Sequence, residues 1–150
     1  MHYKIPLADP YINEEDVAAV AQAVKEKRLS QGKYVQTFED AYARYFGTKY
    51  AVAVCSGTAA LHTALAGLGV RLGDEVIVPS LTYISTANCV LYQGAKPVIA
   101  DIDSKTYSIN PDDVERRITA KTKAIIPVHF AGQTADMDAI NEIAEAHNLK

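Results

Sequence analysis

The sequence predicts an α/β protein in which a mostly parallel sheet is covered by helices on both faces. Two patterns support this fold class. From residue 50 onward, short and almost continuously apolar segments recur, and each is followed by a segment with helical spacing. Strands that are apolar at nearly every position are typical of parallel sheets buried on both faces. With 150 residues, 49% of them hydrophobic and 22% charged, the chain is large enough for one globular domain.

An extended arm and two amphipathic helices are predicted before the alternating part. Two prolines disfavour helix in residues 3–12. Asn13 is a good N-cap, and apolar residues at helical spacing predict a first helix that runs to about Arg28. A second amphipathic helix is expected after a break at residues 29–33, ending at Gly47. This helical lead-in covers residues 1–48, approximately.

Strands and helices alternate in the rest of the chain, residues 50–150, and form a single α/β domain. Four strands are predicted, at residues 50–55, 75–79, 97–102 and 124–130. Helices are predicted at residues 58–68, 82–92 and 137–147, with one more that begins after Asn110 as N-cap. The series stops directly after a helix, where another buried strand is expected, so the chain is interpreted as a fragment.

Charge and cysteine content narrow the function classes. The formal net charge of −3, without a basic cluster, predicts no nucleic-acid partner and no anionic membrane partner. Cys55 and Cys89 lack metal-type spacing, and we expect both to be buried free thiols in a reducing compartment. No signal peptide or membrane-spanning run is recognised, which predicts a cytoplasmic location, and no metal site is predicted.

The segment around Ser56 carries the strongest indication of a ligand. A short apolar run turns directly into a helical pattern at Ser56-Gly57-Thr58, which leaves free N–H groups at the positive end of a helix. The alternative is an ordinary turn with Ser or Thr as N-cap. The spacing of nucleotide-binding glycine loops is absent. Any phosphate bound here is therefore single and small, which favours a phosphorylated cofactor over ATP or NAD.

Other polar or aromatic residues at predicted strand ends have two interpretations. Tyr83 either stacks on a planar ligand or packs in the core. Asp101 and Asp103 resemble a divalent-cation pair, but alternation along a strand directs them to opposite faces, which favours turn carboxylates. For His129, a structural role is favoured over catalysis.

Several longer stretches, in this order along the chain, carry a family pattern. They are residues 29–32, residues 56–62, residues 73–83, residues 101–103 with 107–111, and residues 122–133 leading into 135–138. They are spread from residue 29 to residue 138, and the resemblance extends, in order, over essentially the whole chain. In these stretches the sequence resembles the DegT/StrS family of sugar aminotransferases.

The resemblance implies a fold-type I enzyme that uses pyridoxal 5′-phosphate, with this chain in the three-layer α-β-α large domain. Such enzymes are homodimers that transfer an amino group, here expected from glutamate, to a nucleotide-linked keto-sugar. The matching positions imply that the backbone of Gly57, Thr58 and Ala59 binds the cofactor phosphate. Tyr83 falls where the family stacks an aromatic ring, usually Phe or Trp, on the pyridine. Ser30 falls in the family's first active-site loop and is a substrate-side candidate.

The resemblance implies no catalytic residue within this chain. In the family pattern the Schiff-base lysine and the carboxylate on the pyridine nitrogen both lie downstream, so they are expected beyond residue 150. None of the ten lysines is predicted at a strand end that faces the site. We therefore expect the 150-residue chain alone to be inactive. Two alternatives stay open: a sugar dehydratase or regulatory member of the same family, and a non-catalytic phosphate-binding or interaction domain.

Overall fold

The computed structural model describes residues 9–150, so the predicted extended arm lies mostly outside the described residues. The chain divides into two compact units, with the boundary between Ala53 and Val54. None of the helices between residues 9 and 150 combines the length and apolar character that are needed to cross a membrane.

The first unit contains two helices, α1 (Glu14–Lys25) and α2 (Lys33–Phe46). Asn13 caps α1 as predicted: its side chain accepts the N–H of Asp16, and the Asp16 carboxylate accepts the N–H of Asn13, each at 3.0 Å. These reciprocal bonds satisfy two backbone donors that would otherwise lack partners at the helix start. Gly47 ends α2, also as predicted, with a φ of 67° that favours glycine.

Helix α1 ends at Lys25, three residues before the predicted end at Arg28. The backbone turns at Lys27, whose φ of 54° is left-handed and incompatible with a continuing α-helix. A salt bridge of 2.7 Å between Glu26 and Lys33 then spans the turn between the two helices. The Lys33 ammonium holds the pKa of Glu26 at about 2, well below its usual range.

The second unit is a three-stranded parallel sheet with four α-helices. Its strands are β1 (Glu75–Pro79), β2 (Lys96–Ala100) and β3 (Thr122–Ile125), in the order β2-β1-β3. Its helices are α3 (Gly57–Gly67), α4 (Ser85–Tyr92), α5 (Pro111–Arg117) and α6 (Met137–Ala146), with a short 3-10 turn at Phe130–Gly132. The predicted α/β class with a parallel sheet is confirmed.

Two separate hydrophobic cores lie on the two faces of the sheet. Val76 and Val78 of β1 belong to one core, where the helices contributing buried residues are α3 and α4. Ile77, between them, belongs to the other core, to which Val114 of α5 and Ile140 of α6 contribute. Because successive side chains of a strand point to opposite faces, this division produces the three layers α-β-α.

The prediction of a strand at residues 50–55 is wrong. No strand pairing includes these residues anywhere in the described part of the chain. A strand needs a neighbouring backbone to complete its hydrogen bonds, and a side chain takes that place at Ala53. The N–H of Ala53 donates to the Glu39 carboxylate at 2.8 Å, and Thr48 donates its hydroxyl to the carbonyl of Tyr50 at 3.1 Å.

Three other predicted elements are shorter than expected. Strand β3 stops at Ile125 instead of residue 130. The N–H of Ile126 still donates to the carbonyl of Ile77 at 2.9 Å, but Pro127 has no N–H with which to continue the pairing. Strand β2 ends at Ala100, and Ile102 makes only an isolated antiparallel bridge to Ile109. The helix predicted from residue 82 begins at Ser85, after an irregular turn.

The backbone of Lys150 is hydrogen-bonded to β3. Its N–H donates to the carbonyl of Lys123 at 3.2 Å, and its carbonyl accepts the N–H of Ile125 at 2.8 Å. One residue bonded in this way to two residues flanking Ala124 is the pattern of neighbouring parallel strands. The backbone of Lys150 thus pairs with the edge of β3 that faces away from β1.

Asp113 ties the end of β2 to helix α5. Its buried carboxylate accepts the N–H of Asp101 at 2.7 Å and forms ion pairs with Arg116 at 3.0 Å and with Arg117. The bond from the Asp101 N–H, followed by the Arg117 guanidinium, lowers the pKa of Asp113 to about 2. A buried carboxylate with three donors is costly to protonate or to remove.

We predict that Asp113→Ala lowers the free energy of unfolding by roughly 2 kcal/mol at pH 7, because the Asp101 N–H and two guanidinium groups lose their acceptor. The folded pKa of about 2 lies below the ordinary value of 3.8. The carboxylate's contribution is therefore full above about pH 4 and declines as the pH falls towards 2. Urea unfolding at pH 7, 4, 3 and 2 measures both effects.

The control for this prediction is Asp112→Ala, which removes the neighbouring exposed carboxylate. We expect a loss below about 1 kcal/mol, from the helix dipole alone. Equal losses for the two variants at pH 7 would contradict the prediction, as would an Asp113→Ala deficit that persists unchanged at pH 2.

Candidate functional site

The helix predicted to seat an anion begins at Gly57, one residue before the predicted start at residue 58. Ser56 is the N-cap of α3: its hydroxyl accepts the N–H of Ala59 at 3.2 Å, and its carbonyl accepts the N–H of Ala60 at 3.0 Å. The capping role that the sequence left open as an alternative is therefore present. It uses one of the three backbone amides that were predicted to bind phosphate.

The amides of Gly57 and Thr58 stay available for a ligand. As the first two residues of α3, they have no acceptor within the helix. No other acceptor for either N–H group is found among residues 9–150. Two neighbouring free donors at the positive end of an 11-residue helix form a favourable environment for an anion.

A cavity of about 610 Å³ lies against this helix start. The residues that line it are Gly57, Thr58, Ala60, Leu61, Ala64, Tyr83, Ser85 and Thr86. Tyr83 lies in the turn between β1 and α4, and 77% of its surface is exposed. It therefore does not pack in the core, which was the alternative interpretation. The structure brings Gly57, Thr58 and Tyr83 to one cavity, while Ala59 is not among the lining residues.

Two hydroxyl pairs line or support this cavity. Thr58 Oγ1 lies 2.6 Å from Ser85 Oγ, and Thr82 Oγ1 lies 2.7 Å from Thr86 Oγ1. Ser85 and Thr86 are both buried. The sequence analysis named neither Ser85 nor Thr86. Two hydroxyl residues at the start of the helix that follows Tyr83 would have indicated that polar groups lie near this ring.

The two cysteines differ. Cys89 is buried as expected, donates its thiol to the carbonyl of Thr86 at 3.2 Å, and has a pKa raised by burial. Cys55 is exposed, contrary to the expectation. It precedes the Ser56 cap directly, in the segment that forms no strand, so no sheet neighbour buries it.

The acidic residues at the end of β2 serve the local backbone. The Asp103 carboxylate accepts the N–H groups of Lys105 and Thr106, each at 2.9 Å, and these bonds lower its pKa, the Thr106 bond most. Asp101 accepts the N–H of Ile102 at 2.8 Å. The preference for turn carboxylates is therefore confirmed. Among residues 9–150, no cluster of three or more potential metal ligands is found.

Two further candidates, His129 and Ser30, are not among the residues that line the cavity. His129 Nδ1 accepts the N–H of Ala135 at 3.1 Å, which is the structural role favoured for it. Ser30 lies in the exposed turn between α1 and α2 of the first unit, and its role at a substrate stays a prediction.

The chain was compared with known families. The model of the DegT/DnrJ/EryC1/StrS aminotransferase family matches residues 10–150. The chain belongs to this family.

Individual relatives place the chain within longer proteins. It is 47% identical over 145 residues to the spore coat polysaccharide biosynthesis protein SpsC of Bacillus subtilis, covering 97% of this chain and 37% of SpsC. It is 46% identical over 147 residues to GDP-perosamine synthase of Caulobacter vibrioides, covering 97% and 40%. The crystal structure of NtdA from Bacillus subtilis with bound cofactor PMP has a TM-score of 0.85 at 36% identity, covering 93% and 33%. The chain thus spans about two fifths of the length of these curated relatives.

The prediction of pyridoxal phosphate as the family's cofactor is confirmed. The residues of the cavity fit this group. The free amides of Gly57 and Thr58 suit its phosphate, the exposed Tyr83 suits its flat ring, and about 610 Å³ is within the range of small-molecule sites.

We predict that Gly57→Ala weakens binding of pyridoxamine 5′-phosphate roughly tenfold, because a methyl group blocks close approach to the backbone. A Cβ at Gly57 meets no protein atom within 4 Å, so the fold tolerates it. We expect the free energy of unfolding to stay the same or rise by up to about 1 kcal/mol. Calorimetric titration and thermal unfolding measure the two quantities.

Gly67→Ala is the matched control, since Gly67 ends the same helix and a Cβ there also meets open space. This variant is expected to gain similar stability and to bind like the wild type. Equal affinity of both variants and the wild type would show that the ligand does not approach Gly57.

Proposed function

We propose that this chain supplies the cofactor-anchoring part of a pyridoxal-phosphate-dependent aminotransferase. The enzyme transfers an amino group, from glutamate, to a nucleotide-linked keto-sugar, and it acts as a cytoplasmic homodimer in polysaccharide or antigen biosynthesis. The observation that carries the proposal is the cavity that joins the free amides of Gly57 and Thr58 to the exposed ring of Tyr83. Membership of the DegT family supports the reaction type.

The substrate class is supported by the relatives. GDP-perosamine synthase, by its name, makes a nucleotide-linked sugar, and SpsC is named for polysaccharide biosynthesis. Both are 46–47% identical to this chain over nearly its whole length. We propose that the same class of substrate reaches the cofactor in this protein, with Ser30 on the substrate side.

The described residues are suited to binding rather than to proton transfer. Apart from the Tyr83 phenol, no side chain that lines the cavity ionises, and no lysine or carboxylate is among them. When bound, pyridoxal phosphate would supply an aldehyde that takes up and returns an amino group, and a ring that acts as an electron sink. We propose that the free amides of Gly57 and Thr58 hold its phosphate and that Tyr83 fixes the plane of its ring. The amide of Ala59, named with them from the sequence, donates to the Ser56 hydroxyl in this structure.

The lysine and carboxylate that the reaction needs are proposed to lie beyond residue 150. The 150-residue chain alone is then expected to bind the cofactor without transaminating. The activity is tested with a longer polypeptide that also contains the segments corresponding to the rest of the relatives' length. The assay measures transfer of ¹⁵N from labelled glutamate to the sugar. A deoxygenated sugar without nitrogen would instead indicate the dehydratase.

Binding by the chain is tested with pyridoxamine 5′-phosphate and with pyridoxamine, which lacks the phosphate. We predict that Tyr83→Ala weakens both ligands by roughly tenfold, since an aromatic contact with the ring is lost in each case. Tyr83→Phe keeps the flat face and is expected to bind like the wild type. Fluorescence or calorimetric titration gives the dissociation constants.

The same titrations distinguish the proposed cofactor site from a non-catalytic phosphate-binding domain. A general phosphate-binding domain would bind inorganic phosphate as tightly as pyridoxamine 5′-phosphate and would be insensitive to Tyr83→Ala. That pair of results would contradict the proposed function.

A further inference from the structure

The hydroxyl pair of Thr58 and Ser85 joins the starts of two helices at the cavity. Thr58 is the second residue of α3, and Ser85 is the first residue of α4. Their oxygen atoms are 2.6 Å apart, which is a short hydrogen bond. Ser85 is 7% exposed, and it follows Tyr83 by two residues. One hydrogen bond therefore connects the proposed phosphate position to the turn that carries the aromatic ring.

The direction of this hydrogen bond matters for an anion. Each hydroxyl has one proton to donate and can accept two hydrogen bonds. If Thr58 donates to Ser85, the Thr58 oxygen presents only lone pairs to the cavity, which repel a phosphate. If Ser85 donates to Thr58, the Thr58 proton is free for an acceptor in the cavity. A phosphate, which mainly accepts, selects the second arrangement.

We infer that Ser85 is a positioning residue, which donates to Thr58 Oγ1 and so directs the Thr58 proton to the cofactor phosphate. The inference rests on the proposed function, because it requires a phosphate beside Thr58. In this arrangement the protons of Ser85 and Thr58 form a chain that ends at an anion, and hydrogen bonds in such a chain strengthen one another. Ser85 also lines the cavity, but in the inferred role it acts through Thr58 and not by a contact of its own with the ligand.

Ser85→Ala tests this role. We expect roughly fivefold to tenfold weaker binding of pyridoxamine 5′-phosphate, the range for a hydrogen bond between two neutral groups. Binding of pyridoxamine, without the phosphate, is expected to be unchanged. A purely structural role would weaken both ligands alike, because both need the cavity and the Tyr83 ring. The ³¹P chemical shift of the bound ligand gives a second readout.

A double-mutant cycle with Thr58→Val shows whether the two residues act together. Thr58→Val removes the hydroxyl that contacts the phosphate and is expected to weaken the phosphorylated ligand at least as much as Ser85→Ala. Adding Ser85→Ala to Thr58→Val should then have no further effect on affinity. Additive losses would overturn the inference.

Ser108→Ala is the matched control. Ser108 is 2% exposed, and its Oγ is a buried side-chain atom without a hydrogen-bond partner in the described structure. Removing that hydroxyl is expected to leave both ligand affinities unchanged. If Ser85→Ala fails to fold, Ser85→Cys gives the same comparison with a side chain of similar volume and a weak donor.

The results separate the two proposals. If the wild-type chain binds both ligands equally or binds neither, the proposed phosphate site fails and the role of Ser85 fails with it. If the wild type prefers the phosphorylated ligand and Ser85→Ala keeps that preference in full, only the role of Ser85 is overturned.

Discussion

The burial of β1 at every position is the constraint on which the second unit depends. All five residues from Glu75 to Pro79 are buried, and Val76, Ile77 and Val78 have no exposed surface. Since alternate side chains point to opposite faces, such a strand is stable only when helices cover both faces. Removing apolar surface from water contributes about 25 cal/mol per Å² to the stability of the fold. Packing of the helices on both faces of β1 is therefore the main contribution to the stability of the second unit. The positions of α3 and α4 on one face follow from it.

The two ends of β1 then have different chemistry. At its beginning, the Glu75 carboxylate accepts hydrogen bonds from Thr119 at 2.7 Å and from Lys96 at 3.0 Å, and both lower its pKa. These hydrogen bonds connect the start of β1 to the start of β2, through Lys96, and to the segment before β3, through Thr119. Beyond its other end, the turn to α4 carries the exposed Tyr83. In open parallel sheets, ligands bind beyond the carboxyl ends of the strands, where such side chains remain free.

The elements that the sequence predicts well are those whose determinants are local. The apolar run at residues 75–79 and the cap at Asn13 were identified because neighbouring residues decide them. The predicted strand at residues 50–55 failed because a strand also needs a partner, which an apolar pattern does not reveal. The Glu39 carboxylate that takes the Ala53 N–H is 14 positions away in the chain.

The same distinction applies to the candidate site. Gly57, Thr58 and Tyr83 lie in short motifs and could be named from the sequence. The contact between Thr58 and Ser85 spans 27 positions and joins two helix starts, so it depends on how α3 and α4 pack. Ala59 belongs to the same motif as Gly57, yet its amide is used by the Ser56 cap, a detail that only the local geometry decides.

The hydrogen-bond donors that line the cavity are uncharged, and this affects how the site would hold an anion. Backbone amides and the hydroxyls of Thr58 and Ser85 keep the same charge between pH 5 and 8, since neither group ionises there. A site built from histidine would change its charge in this range, and one built from lysine or arginine would carry a permanent positive charge. None of the described residues that line the cavity carries a charge at neutral pH. The proposed phosphate site therefore adds no charge of its own that would disturb proton transfers elsewhere in the proposed enzyme.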